Sequence, residues 1–102
     1  MNKPNNFRDL IVWQKSIALA TGIYHLTKYF PPEEKFGLVS QIRRAAISIA
    51  ADIAEGAGRG TRKDFRHFPD IVMGSSFGLE TLLTISSRLD LVQSETVEVT
   101  LD

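Results

Sequence analysis

The stretch from Gln41 to Gly60, QIRRAAISIAADIAEGAGRG, decides the fold that we predict for this chain. Starting just before it, apolar side chains recur at intervals of three or four residues: Leu38, Ile42, Ala45, Ile49 and Ile53. This period places them on one face of an α-helix. Beside them runs a stripe of alanines spaced by four residues, which a second helix can approach closely: Ala46, Ala50 and Ala54. The stretch therefore predicts a long helix that packs against other helices.

Glycines are predicted to end this helix. Gly56, Gly58 and Gly60 follow one another closely, and glycine readily adopts the positive φ of a helix C-cap. At the other end, Pro32 and the two glutamates after it suit a first helical turn. We therefore predict helix 2 over residues 33–57, with Gly56 and Gly58 as caps or close-packing positions.

The N-terminal part of the chain predicts another helix, preceded by an arm over residues 1–8. Asp9 suits its N-cap. The helix is predicted over residues 9–30, because the residue before Pro31 is disfavoured in the α region. Its predicted core face carries five residues at helical spacing: Leu10, Trp13, Ile17, Ala20 and Tyr24. Ile23 and Leu26 widen this apolar face.

A weak relative of the capping box, T-x-x-D, follows the glycines and predicts helix 3 over residues 62–89. Pro69 predicts a bend in this helix, and Gly74 and Gly78 predict a close contact with another helix. The apolar seam alternates steps of three and four: Phe65, Phe68, Val72, Ser75, Leu79, Leu82, Ser86 and Leu89. A stripe this wide is expected to bury against more than one neighbour, within the chain or in another copy.

The last element, residues 94–102, follows a turn signal at residues 90–94. Ser94 suits the N-cap of a fourth helix. The alternation of Val97, Val99 and Leu101 suits a short strand or a loose tail equally well. Taken with the short connections, the segments predict one all-α domain over residues 1–102, an antiparallel up-and-down four-helix bundle with a short or incomplete fourth helix.

Composition narrows the class of protein. The chain has 102 residues, enough for one domain around a single core. Its hydrophobic content of 43% and charged content of 24% are ordinary for a globular protein, and no apolar run is long enough to cross a bilayer. The first residues lack the apolar region of a secretory signal, so we expect a cytoplasmic protein. The chain has no cysteine, which excludes disulfides and thiolate metal sites.

The remaining chemistry-bearing residues form no catalytic or metal-binding pattern that we recognise. His25 and His67 lack the spacing of metal ligands, and the serines have no histidine and acid in a nucleophile arrangement. The glycine cluster GAGRG follows a helix rather than a strand and lacks the G-K-[ST] ending of a phosphate loop. We therefore predict no enzyme, no cofactor and no metal, and keep a hydrolytic enzyme as the weakest alternative.

Positive charge is concentrated around the predicted turn between helices 2 and 3. Asp64 is the one acid in residues 59–67, so four cations minus one acid leave a local charge of plus three with His67 neutral. The cations are Arg59, Arg62, Lys63 and Arg66. They predict a nucleic-acid-binding surface whose affinity falls with salt. The alternative is ordinary solvated charge at a turn, because the twelve basic and twelve acidic residues of the chain cancel.

Two further cations, Arg43 and Arg44, lie beside the apolar face of helix 2. Arg44 is predicted to pair with a carboxylate, Glu55 or Glu80, and so to set the register of helices or subunits through a bidentate bond. The alternative for both arginines is contact with nucleic acid.

At QIRRAAISIAADIAEGAGRG the chain resembles a family of four-helix bundles, the 23S rRNA intervening-sequence proteins. The preceding FRDLIVWQKSIALATGIYHLTKYFPPEEKFGLVSQIRRAA resembles the family's F-x-D-L-x-V-W-Q-K start and its F-P-x-E-x-F-G-L-x-x-Q-I-R-R-A passage. DFRHF and GSSFGLET resemble its third helix. The resemblance extends from about Phe7 to Leu91.

The resemblance implies an up-and-down bundle that assembles as a homo-oligomeric ring, commonly a pentamer. Retroelement accessory variability determinants share this architecture, work with a reverse transcriptase and bind nucleic acid. The resemblance thus implies a nucleic-acid-associated accessory or scaffold protein, whose partners are other copies of itself and RNA or DNA. The alternative is a protein–protein assembly module that binds a protein partner and no nucleic acid.

The chain departs from the family pattern at several positions. Ala50 and Asp52 stand where the family often has proline and asparagine, Pro69 replaces an apolar residue, and Gly78 replaces a glutamate. Family members usually have a full last helix. Of these departures, the short predicted fourth helix most affects whether the implied ring can form.

Overall fold

The computed structural model describes the backbone of residues 7–59 and 62–101 and the side chains of residues 7–57 and 72–97. Within these residues the regular structure is entirely helical. The helices are α1 Ile11–Thr27, α2 Leu38–Arg59, α3 Arg62–Arg88 and α4 Ser94–Leu101, with 3-10 turns at Phe7–Asp9 and Pro32–Glu34. α2 contacts both α1 and α3, and α4 contacts the same two helices. The fold is the predicted all-α antiparallel four-helix bundle with a short fourth helix.

The core lies around α2, as its two apolar stripes predict. Five residues of these stripes are buried: Ile42, Ala46, Ile49, Ala50 and Ile53. Val39, which belongs to neither stripe, and Gly56 are buried as well. Val39, Ile42, Ala46, Ile49 and Ile53 form one core cluster with Ile23 of α1 and Leu79 and Leu83 of α3. At 25 cal/mol per Å² of apolar surface, burying one such isoleucine or leucine is worth about 2 kcal/mol. The alanine stripe buries little apolar area of its own, and its small side chains allow neighbouring helices to pack closely.

The predicted core face of α1 is only partly correct. Trp13 and Ala20 pack at the edge of the core, but Ile17 and Tyr24 are exposed by 41% and 42%. The buried residues of α1 are Ser16, Ile23 and Thr27. The hydroxyls of Ser16 and Thr27 donate to the carbonyls of Trp13 (2.6 Å) and Ile23 (2.8 Å), which satisfies them inside the bundle. Because α1 is apolar on most sides, its residue spacing does not define which side is buried.

Helix starts differ from the predictions. Asp9 ends a 3-10 turn, and Leu10 occupies the N-cap of α1 without a side-chain hydrogen bond. At the other end α1 stops at Thr27, and the Phe30 amide donates to the Thr27 carbonyl so that the buried Phe30 turns into the core. Pro32–Glu34 forms a 3-10 turn rather than the first turn of α2, which begins at Leu38.

The glycines do not end α2 where we predicted. The helix continues through Gly56 and Gly58 to Arg59. Gly56 is helical and buried, so it does not act as the C-cap, and close packing at this glycine stays a prediction. α3 continues through Pro69 as one helix, and the predicted bend there stays a prediction.

The seam of α3 is confirmed over most of its described length. Leu79 and Ser86 are buried, and three other predicted seam residues are half-buried: Val72, Ser75 and Leu82. Leu83, which is fully buried, was absent from the predicted seam. Leu89 was wrongly included, since it is 58% exposed. The predicted seam residues Phe65 and Phe68 lie outside the described side chains.

The turn after α3 explains the exposure of Leu89. Asp90 has a positive φ of 61°, and the Leu91 and Asp90 amides donate to the carbonyls of Ser86 (2.9 Å) and Ser87 (3.0 Å). These two bonds form a Schellman motif. The reversed chain brings Leu91 rather than Leu89 against the core.

The last element is a helix, not a strand. The Val97 amide donates to the Gln93 carbonyl at 3.1 Å, so Ser94 lies inside the first turn rather than at the N-cap. The Ser94 hydroxyl instead bonds to the Ser87 hydroxyl at 2.9 Å and links α4 to α3. Among the described helices, none combines the length and the apolar character needed to cross a membrane.

Candidate nucleic-acid interface

The basic segment that carries the nucleic-acid prediction flanks the connection between α2 and α3. Arg59 is the last residue of α2 and Arg62 is the first of α3, with Lys63 and Arg66 in the first two turns of α3. The structure thus brings the four cations to one end of the α2–α3 hairpin. Their side chains lie outside the described residues, so their role in phosphate contact stays a prediction.

Arg43 has a different environment, because its guanidinium is held against α1. Nε donates to the Thr27 hydroxyl at 2.9 Å and Nη2 donates to the Tyr24 carbonyl at 3.4 Å. Cζ lies 4.2 Å from the centre of the Tyr24 ring, within the range of a cation–π contact. Since the two contacted residues lie in the last turn of α1, the positive charge also interacts favourably with the helix dipole.

These contacts identify Arg43 as a structural residue that joins α1 to α2. The Thr27 hydroxyl forms two hydrogen bonds in this cluster, since it accepts one from Arg43 and donates one to the Ile23 carbonyl. Sequence reasoning missed both Tyr24 and Thr27 as partners, because they lie 19 and 16 residues before Arg43. The only signal in the sequence was an arginine beside the apolar face of helix 2.

Arg44 is exposed to solvent on the outer side of α2. Within the part of the chain that the structure describes, no ion pair joins Arg44 to either predicted acid. Glu55 lies in the last turns of the same helix, and Glu80 lies on the exposed side of α3. Pairing of Arg44 with these acids therefore stays a prediction for an assembled state, and its guanidinium is available to a nucleic acid.

A polar contact between α2 and α3 was not predicted. The Ser75 hydroxyl donates to Oδ2 of Asp52 at 3.1 Å. Both residues are half-buried, and the bond joins the two helices. It constrains the register of the hairpin that carries the basic segment.

Exposed aromatic rings lie at the opposite end of α2, in the connection to α1. Tyr29 and Phe36 are exposed by 84% and 88%, and Nζ of Lys35 lies 5.5 Å from the Phe36 ring centre. Aromatic rings beside cations are typical of sites that stack bases. Glu33 and Glu34 share this connection and balance its lysines, so the surface has no excess of positive charge.

Comparison with known proteins identifies the family. The family model described as 23S rRNA-intervening sequence protein matches residues 8–102, which is nearly the whole chain. A comparison with individual curated proteins gave no match. The matched region includes all four helices and the basic segment between α2 and α3. The chain therefore belongs to the 23S rRNA-intervening sequence protein family.

Proposed function

We propose that this protein is a non-catalytic, self-associating helical bundle that binds nucleic acid and acts as an accessory or scaffold protein in the cytoplasm. Association would place several copies of the basic segment of residues 59–66 on one particle. RNA is favoured over DNA because the family is named for sequences that interrupt ribosomal RNA. The bundle provides the framework, and the basic segment provides the contact with phosphates.

The observation that carries this proposal is the exposed apolar surface of α3. Three large side chains of α3 are exposed, Met73, Phe77 and Ile85, and Leu89 directly after the helix is exposed too, all by 44% to 60%. Large exposed apolar surfaces commonly mark a protein interface on a soluble protein, and these side chains are the candidates for one here. Self-association supports nucleic-acid binding because it multiplies the charge of plus three that the sequence gives each copy of the basic segment.

Binding would be electrostatic and weakly dependent on sequence. Each phosphate neutralised by a lysine or arginine releases counterions, so the logarithm of affinity falls linearly with the logarithm of salt concentration. Arg43 is excluded from the proposed contact surface because its guanidinium is already bound to α1. Arg44 is a secondary candidate, since its exposed side chain lies on α2 away from the turn.

The test compares two triple variants that remove the same charge. One replaces Arg62, Lys63 and Arg66 by alanine. The control replaces three exposed lysines elsewhere by alanine: Lys15, Lys28 and Lys35. Binding of labelled single-stranded and duplex RNA and DNA is measured by fluorescence anisotropy across a salt series, with circular dichroism to verify folding.

We expect the basic-segment variant to bind at least about tenfold more weakly at low salt. Its salt slope should decrease by about one for each phosphate that the variant no longer neutralises. The lysine control should keep most of the affinity and the slope. Equal losses in both variants would attribute binding to general charge and would contradict the assignment of the segment.

The second candidate function is a protein–protein assembly module without nucleic-acid binding. It is favoured by the scarcity of charge on α3, where Glu80 is the only charged residue between Met73 and Ser87. If the wild-type protein associates but binds no nucleic acid even at low salt, this alternative becomes the better account.

A further inference from the structure

The outer face of α3 forms a shallow depression that no other part of the described chain covers. We call it the α3 face and define it by the residues that line it: Phe77, Glu80, Thr81, Thr84, Ile85 and Arg88. Phe77 and Ile85 are 60% and 44% exposed. The other four lining residues are exposed as well.

The threonine hydroxyls of this face are hydrogen-bonded within α3 itself. The hydroxyls of Thr81 and Thr84 donate to the carbonyls of Phe77 and Glu80, each at 2.8 Å, within their own helix. Their hydrogen-bonding needs are therefore met, and their methyl groups contribute to an apolar surface. A Cβ added to the neighbouring Gly78 would meet no atom within 4 Å, so this glycine makes no close helix contact within the described chain.

The two charges of the α3 face have opposite sign and a regular spacing. Glu80 and Arg88 lie eight residues apart, which is about 12 Å along a helix at 1.5 Å per residue. Among the described residues, neither side chain forms a hydrogen bond or an ion pair with another. Thr84 lies midway between them. A two-fold axis through Thr84 would therefore exchange the position of the acid with that of the base.

We propose that the α3 face binds the α3 face of a second copy in antiparallel orientation, with the two-fold axis near Thr84. Glu80 of each copy then faces Arg88 of the partner subunit, so the same surface supplies both members of two ion pairs. Phe77 lies seven residues before Thr84, about 10 Å from the axis, so it packs against the end of the partner subunit's α3 rather than against the partner's Ile85. Such an isologous interface requires self-complementary charge, which this face has. The inference rests on the proposed self-association and specifies its surface.

Two-fold pairing makes a prediction about copy number. An isologous contact joins copies in pairs, so the protein should form dimers, or an even assembly such as two stacked rings if it also forms the ring that the family resemblance implies. The contact is confined to one helix face, so we expect it to depend on concentration.

Charge reversal tests the pairing directly. Glu80→Arg alone and Arg88→Glu alone each place like charges together twice in a two-fold pair. The double variant Glu80→Arg/Arg88→Glu restores both pairs. An equimolar mixture of the two single variants also restores them, because one chain then carries only bases and the other only acids at these positions. Lys28→Glu and Glu33→Arg, at exposed sites off the α3 face, are the matched controls.

Sedimentation velocity over a concentration series measures the outcome, with circular dichroism to verify folding. We expect each single variant to dissociate on the order of tenfold more readily than the wild type, and the double variant and the mixture to associate like the wild type. The two controls should leave association unchanged.

The outcomes separate this inference from the proposed function. Wild-type protein that forms only an odd ring of five would overturn the α3 pairing and leave self-association intact. A monomer at every concentration would overturn both. Single variants that associate like the wild type, or a mixture that fails to recover association, would overturn the pairing alone.

Discussion

Arg43 and Arg44 show that the position of a residue on a helix decides whether its side chain contacts a neighbouring helix or solvent. The two arginines are adjacent in sequence, but a step of about 100° around the helix separates them. Arg43 therefore reaches the end of α1, where it contacts the Thr27 hydroxyl and the Tyr24 carbonyl and ring. Arg44 faces solvent. The first stabilises the fold, and only the second remains free to bind a ligand.

We predict that Arg43→Ala lowers the free energy of unfolding by about 1–3 kcal/mol, because it removes a hydrogen bond to a buried hydroxyl and a cation–π contact. Arg44→Ala, the matched control, should change it by less than about 0.5 kcal/mol. Urea unfolding followed by circular dichroism measures both. Equal effects in the two variants would show that the Arg43 contacts contribute nothing beyond surface charge.

At the scale of elements, α3 contains two glycines that lower its helix propensity, and packing within the described chain does not explain them. Gly74 and Gly78 are exposed in the middle of a 27-residue helix, and a Cβ at either position would meet no atom within 4 Å. The sequence predicts a close helix contact at this pair, and the single chain does not form one. Glycine in a helix costs about 1 kcal/mol relative to alanine.

Gly74→Ala is expected to stabilise the protein by about 1 kcal/mol, since it improves helix propensity without a steric conflict. Gly74 lies outside the lining of the α3 face, so the change leaves the proposed pairing surface intact. The reverse change, Ala51→Gly at an exposed position within α2, should destabilise the protein by a similar amount. Both are measured by urea unfolding at low protein concentration. Destabilisation by Gly74→Ala would mean that another chain packs against this glycine.

For the whole molecule, the apolar surface left exposed on α1 and α3 has the largest consequence. α4 has 8 residues and α3 has 27, so α4 spans about 12 Å of a helix that is about 40 Å long. It contacts α1 and α3. Apolar side chains on both helices remain exposed, among them Ile11 and Val12 of α1 and Met73 and Phe77 of α3.

We therefore predict that stability depends on protein concentration. Association that occurs only in the folded state stabilises that state by mass action. The thermal midpoint of the wild-type protein should rise by a few degrees for each tenfold increase in concentration, whereas that of the Glu80→Arg variant should rise less. Differential scanning calorimetry provides the measurement. A midpoint independent of concentration in both proteins would contradict association through this surface.

The sequence alone determined the helical class, the central position of α2 and the turn near Asp90. These features follow from the spacing of apolar residues and from turn chemistry, which are local properties of the chain. The two stripes of α2 identified its core correctly because polar residues occupy the opposite side. The concentration of basic residues at residues 59–66 was equally visible, since it depends only on composition along the chain.

Only the tertiary structure decided which side of α1 is buried, what Arg43 binds and which face of α3 stays open. α1 is apolar on most sides, so its burial depends on where α2 and α4 lie. The partners of Arg43 come from another helix, and residue spacing within α2 contains no information about them. Gly56 shows the same limit, because its φ preference predicted the end of α2 and the helix continues through it. Local spacing determines an element, whereas burial and pairing depend on neighbours that are distant in sequence.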